Sequence, residues 1–205
     1  NDMRRICFIL TTMVMLVCIT SNAQTATQAR KVLDKTAALV GRKGGASASF
    51  TLKSTKYGNT SGTISIKGNK FRTITPQAKV WYDGKTQWSF VKQTGEVNIS
   101  TPNEAQQMSM NPYKFITMYK NGYNLSMKNS GGNHVVHLVA TNKQRSVQEL
   151  YITISSNYQP KTIKMRQGHV WTTITITNFS AKNQDDAIFR FPAKEFKGYE
   201  VIDLR

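Results

Sequence analysis

The chain has 205 residues, and 28 Lys and Arg against 11 Asp and Glu give it a net charge of +17. Its two cysteines, Cys7 and Cys18, stand at the start, so the rest has no disulfide, thiol nucleophile or thiolate metal site. So basic a balance invites nucleic acid as a partner. Against this, the lysines are scattered singly and the first residues read as an export signal, which leaves anionic membrane surfaces or an acidic partner.

After Asn1 and Asp2, Met3 opens a short basic segment (Arg4, Arg5), followed by the apolar run Ile6–Ile19 and the small polar stretch Thr20–Ala23. This pattern, with Ser21 and Ala23 at the small-residue positions before a cut, predicts a secretory signal peptide over residues 1–23, two leading extra residues included. The run is short of the ~20 apolar residues needed to span a bilayer. Cys18 raises a lipid-modified start, but Val17 stands where a small residue is wanted. Residues 24–205 then form a single domain large enough to bury a core, with a periplasmic location. That domain stays strongly basic, because residues 1–23 carry only Asp2, Arg4 and Arg5 as charges.

Within Thr25–Val40, Ala29, Val32, Leu33, Thr36, Ala37 and Val40 recur at helical spacing, and Arg42–Gly45 supplies a basic last turn and a glycine stop. An amphipathic helix covering one side of a sheet is expected. Strands follow closely: Ala48, Phe50 and Leu52 alternate with polar residues, as do Ile64 and Ile66, and Phe71–Thr75 adds another. Val80–Phe90 reads as strand, Asp83-Gly84 two-residue hairpin turn and strand, then Glu96–Ser100 follows. This hairpin spends Trp81, Trp88 and Phe90 within a few residues, which demands a large apolar volume nearby. Which of Trp81 and Trp88 points inward is open at this stage.

Thr101–Gly122 interrupts the pattern. Asn111 is a good N-cap with Pro112 at the first helical position, so Tyr113–Lys120 is expected as a short helix, and Gln106–Met110 as a possible further turn. Met108, Met110, Tyr113, Phe115, Ile116, Met118 and Tyr119 make this insert soft and apolar. A methionine stripe is more often core than ligand site, but a Met-rich flap between two runs of hairpins also suits a lid. The chain then returns to β through Tyr123–Asn129, His134–Ala140, Val147–Ser155, Lys161–Arg166, His169–Phe179, Ile188–Phe191 and Tyr199–Leu204. The expected fold is mainly β: an incomplete antiparallel barrel of about eleven strands, covered by an N-terminal helix and a short helical lid.

Chemistry is scarce. His134 and His137 are three apart on a strand, so they face opposite ways and cannot share a metal, and His169 sits by a turn. No GxSxG, HExxH or phosphate loop occurs, and the glycines of Gly41–Gly45 follow the first helix rather than precede it. The expectation is no enzyme, no catalytic residue, no cofactor and no metal.

Asp83-Gly84-Lys85-Thr86-x-Trp88, Asn111-Pro112-Tyr113-Lys114-Phe115-Ile116, Phe189-Arg190-Phe191-Pro192 and Tyr199-x-Val201-x-Asp203, in this order behind a leading helix, resemble LolA-type outer-membrane lipoprotein carriers. The resemblance implies a periplasmic chaperone whose apolar cavity takes acyl chains of lipoproteins. Its partners would be acylated lipoproteins, an inner-membrane ABC-type release transporter and an outer-membrane acceptor, with the carrier a monomer. The family commonly latches its lid with an Arg beside Pro, where this chain has Lys67-Gly68-Asn69, so Lys67 or Lys70 is the latch candidate, without the bidentate geometry of Arg. The expected cavity and lid residues are Phe50, Leu52, Ile64, Ile66, Phe71, Trp81, Trp88, Phe90, Met108, Met110, Phe115, Ile116 and Met118. Two other readings stay open: a binding protein for another amphiphile such as a glycolipid or lipopolysaccharide precursor, and a structural envelope β-domain with a filled interior. Alternation is the same for a hollow and a filled interior.

Overall fold

A computed structural model describes residues 24–56, 58–103 and 112–205. The expected signal segment, residues 1–23, and Gln106–Met110 lie outside the described residues. Helix α1 covers residues 24–40. Its apolar stripe of Ala29, Val32, Leu33, Ala37 and Val40 is buried, and the Thr36 hydroxyl between them donates back to the Val32 carbonyl at 3.0 Å. Gly45 ends the exit from the helix at a φ of +84°, where a Cβ would come within 2.3 Å of the Ile66 carbonyl oxygen. Only glycine lets the helix exit press this closely on the sheet.

Among the described residues twelve strands follow: β1 (Ala46–Ser54), β2 (Gly58–Lys67), β3 (Lys70–Ile74), β4 (Ala78–Tyr82), β5 (Gln87–Val91), β6 (Glu96–Ser100), β7 (Tyr123–Ser130), β8 (Asn133–Ala140), β9 (Glu149–Ser155), β10 (Pro160–Gln167), β11 (Val170–Ser180) and β12 (Glu200–Asp203). They form one open sheet in the order β12-β6-β5-β4-β3-β2-β1-β11-β10-β9-β8-β7, with helix α2 (Pro112–Thr117) and a 3-10 turn (Met118–Lys120) between β6 and β7. The expected mainly β, incompletely closed architecture with its leading helix and short helical insert is what the chain adopts. The strand order departs from a pure antiparallel meander twice: β1 pairs antiparallel with β11 in the middle of the sheet, and at one edge β12 runs parallel to β6.

Register assigns every side chain to a face. Ile66, Phe71 and Tyr82 pair in one row across β2, β3 and β4, and Ile163 and Ile174 pair across β10 and β11. These residues point to the inner face, where the stripe of α1 joins Val136, Leu138, Leu150, Ile152 and Ile154 in the main core. Since neighbours on a strand point oppositely, Trp81 lies on the outer face, directly across from Trp88. There the two form a second, smaller cluster with Phe90 and Val97.

Trp81, Trp88 and Phe90 therefore do not line an interior cavity. The segment between β11 and β12 supplies their cover. Phe191 packs on Trp81 at 5.4 Å and parallel to Trp88 at 6.0 Å, and Phe196 meets Trp81 at 5.5 Å and Phe90 at 4.9 Å. This strap begins with Asp186, which accepts from Lys67 and Lys70, both at 2.9 Å. The stretch expected as a strand at Ile188–Phe191 is instead a 3-10 turn over Asp186–Phe189, because Asp185 caps it by accepting from the Ala187 N–H at 2.9 Å. The Asp83-Gly84 turn also differs from expectation. Tyr82 pairs with Gln87, so the loop has four residues, and the Asp83 carboxylate accepts from the Lys85 and Thr86 amides at 2.9 and 2.8 Å.

The strap generates two predictions. Phe196→Ala should lower unfolding free energy by about 3 kcal/mol in denaturant titration, the usual cost of emptying a buried aromatic site; a loss under 1 kcal/mol would contradict the cover assigned to it. The hydrogen bonds from Lys67 and Lys70 hold the Asp186 carboxyl at about 2, below its ordinary 3.8. The folded state then binds fewer protons than the unfolded one in that window, so this contribution is present above pH ~4 and fades as pH falls through ~2. Melting temperatures of the native chain and Asp186→Asn, compared from pH 6 to 2, should differ by a constant amount above pH 4 and converge towards pH 2.

Candidate functional site

Helix α1 does not fill the inner face. Between its last turn and strands β1, β2, β3, β10 and β11 a hollow of about 200 Å³ remains. Val40 of α1 and Ile116 of α2 reach it from above. Ala46, Ala48, Phe50 and Leu52 of β1 face Ile64 and Ile66 of β2 on one side, and Ile174, Ile176 and Phe179 of β11 on the other. Pro160 and Ile163 of β10 complete the lining, and the polar exceptions are Ser47 and Thr73.

The shape of this hollow follows from local sequence. Phe50 pairs with Gly62 on β2 and with Ile176 on β11. With no side chain at Gly62, the Phe50 ring settles over that strand: a Cβ there would meet the ring at 3.1 Å and the Ile74 carbonyl at 2.1 Å. A slip in register between Ser47 and Ser49 bends β1 where it borders the hollow. Phe50, Leu52, Ile174, Ile176 and Phe179 are only half-buried although they face inward. Among the described residues, none that lines the hollow carries a charge. Such a wall offers an apolar guest dispersion and release of water, about 25 cal/mol for each Å² it covers, and gives a charged group nothing.

Of the residues expected to bind, Phe50, Leu52, Ile64, Ile66 and Ile116 come together on this hollow. Phe71 and Met118 are buried in the main core beside it, where Met118 Sδ accepts from the Tyr123 hydroxyl at 3.0 Å. Trp81, Trp88 and Phe90 belong to the outer cluster. Met108 and Met110 lie outside the described residues, as does the side chain of Phe115. Lys67, the latch candidate, is engaged on the outer face. Its Nζ donates to the Gln184 carbonyl at 3.0 Å as well as to Asp186, so among the described residues its bonds fasten the strap and not α2. The wall from β11 escaped the sequence reading as a site, although the alternation of Ile174 and Ile176 carried the signal.

No group of three His, Cys, Asp or Glu gathers to hold a metal among the described residues. His134 bonds Asn129 at 2.8 Å and His137 bonds Glu149 at 2.9 Å, so the two histidines are held apart. Among the described residues, no helix is long and apolar enough to cross a membrane.

A search of the curated proteins finds no match to this chain. Among solved structures, an uncharacterized conserved protein from Thermus thermophilus is similar in fold: 13% identity, 86% of this chain and 99% of that one, TM-score 0.56. A LolA superfamily protein from Nitrosomonas europaea aligns over 80% of this chain and 98% of its own at 8% identity and a TM-score of 0.43. The model of the family described as outer membrane lipoprotein carrier protein LolA matches residues 19–169. By that match, which covers well over half its length, this chain belongs to the LolA family of outer membrane lipoprotein carriers.

Proposed function

We propose that this protein is a periplasmic carrier that takes up the acyl chains of lipoproteins in the inner-face hollow and moves them from the inner to the outer membrane. Residues 1–23 act as its export signal. An ABC-type transporter of the inner membrane loads it, an acceptor at the outer membrane unloads it, and it works as a monomer. The observation that carries this reading is the uncharged hollow walled by half-buried Phe50, Leu52, Ile174 and Ile176 under Ile116. A filled structural β-domain would have closed over these side chains.

The energetics suit a shuttle. Each acyl methylene taken from water is worth ~0.8 kcal/mol, so a lipoprotein's chains need an apolar host throughout transit. Release requires that the host be opened, and α2, with six residues, is too short to be stable by itself. Its hold on the hollow is through packing such as that of Ile116, which a membrane partner can displace. An uncharged lining recognises chains without regard to the head group, so the selectivity for lipoproteins rests on delivery.

Introducing a charge tests the assignment. Ile176→Asp places an unpaired carboxylate in the lining at a half-buried position and should reduce retention of a photo-crosslinkable diacylated peptide at least tenfold, with the circular dichroism spectrum kept. Ala48→Trp fills the hollow without a charge and should cut both peptide retention and binding of an apolar dye. If both variants retain the peptide as the native chain does, acyl chains are not bound here. If a phospholipid or lipopolysaccharide co-purifies and displaces the peptide, the cargo is a different amphiphile.

A further inference from the structure

The strap covers the outer face of the sheet only from β2 to β6. Beyond it, the outer face of β8 to β11 and β1 carries a set of side chains that the acyl hollow does not use. Register lines up His137, Tyr151, Lys164, Thr173 and Lys53 in one row across five strands. The adjacent row holds Glu149, Arg166 and Trp171.

The rows interlock. His137 stacks on Tyr151 at 4.2 Å with planes 3° apart, and Tyr151 lies 6.3 Å from Trp171. Lys164 Nζ and the Arg166 guanidinium stand 4.8 and 5.9 Å from the Trp171 ring centre. Glu149 accepts from His137 at 2.9 Å, Tyr151 at 3.0 Å and Arg166 at 3.1 Å. Burial pushes its carboxyl up, but these hydrogen bonds outweigh that and hold it below its ordinary range. Its charge is thereby neutralised locally, while Lys164 and Lys53 stay exposed. Neither hydrophobic cluster includes Tyr151 or Trp171, which are half-buried.

We propose that this outer face, centred on Trp171, Tyr151, Lys164 and Lys53, docks the protein on an anionic lipid surface. The occupant follows from the chemistry. Trp and Tyr are the side chains that settle at the head-group level of a bilayer, and Lys and Arg extend from their apolar stems to lipid phosphates. The cations lie across several strands instead of around a cleft, and the acyl hollow opens on the other face. That suits a broad charged plane better than a bound peptide. The inference stands apart from the cargo reading, since a protein with an empty or differently filled hollow would dock equally well.

The test is co-sedimentation of the full chain with vesicles of phosphatidylglycerol and phosphatidylcholine in equal parts, against pure phosphatidylcholine. Binding to the anionic vesicles alone is expected. Lys164→Glu removes one charge and adds its opposite, which should weaken partitioning about 25-fold, from ~5-fold per charge near the surface. Lys31→Glu makes the same change on the exposed side of α1 and should cost under ~3-fold, being screened beyond a Debye length. Lipids brominated on the acyl chain should quench native fluorescence, and Trp171→Phe should abolish that quenching, with the circular dichroism spectrum and the acylated-peptide retention of each variant unchanged. Equal losses from Lys31→Glu and Lys164→Glu, quenching that persists in Trp171→Phe, or binding to polygalacturonate in preference to vesicles would each overturn the assignment.

Discussion

The two-residue period of the strand governs this molecule. Because Ile66, Phe71 and Tyr82 are in register, their neighbours Lys67, Arg72 and Trp81 must take the other face. A slip of one residue in β3 or β4 would exchange the two sets, turning Arg72 or Lys79 into the core and Phe71 or Tyr82 to the outer face. The chain has apolar side chains on both faces of β4 and β5, and one helix covers one face. A second cover is therefore obligatory, and the strap provides it with Phe191 and Phe196.

Magnitudes rank what holds that strap. The Lys67–Asp186 and Lys70–Asp186 pairs have carboxylate and ammonium groups a quarter to a half exposed, and solvent screening leaves pairs of that kind little net stabilisation. The aromatic contacts add ~0.5–1.5 kcal/mol each beyond the area they bury. Phe196 alone touches Trp81, Phe90, Phe191 and Tyr199. Aromatic packing supplies the attachment, and the ion pairs fix where along β2 and β3 it begins.

The same division of faces sets up function. On the inner face α1 closes the β8–β10 side with large residues packed to zero exposure, such as Leu33, Leu138 and Leu150. On the β1, β2 and β11 side the wall includes the small residues Ala46 and Ala48, and space is left. Small residues opposite branched ones thus make a hollow in a sheet that elsewhere packs densely. The outer face keeps its polar and cationic side chains, so one layer of backbone serves an apolar interior and a charged exterior.

Element types and the mainly β architecture were legible in the sequence, because helical spacing in Ala29–Val40 and alternation in Phe50–Leu52 or Leu150–Ile154 are local signals. So were Phe50, Leu52, Ile64, Ile66 and Ile116 as members of one apolar surface. Misassignment began where a property depends on partners far along the chain. Alternation places Trp81 and Trp88 on a face but cannot say which face is inside, since that depends on where Phe191 and Phe196 return more than a hundred residues later. Likewise His137 has no carboxylate near it in sequence, and only the pairing of β8 with β9 brings Glu149 to 2.9 Å. The pattern of side chains along each strand belonged to the sequence; which side of the sheet became a hollow and which a surface was decided by long-range packing, because burial is a property of what comes to lie across from a residue.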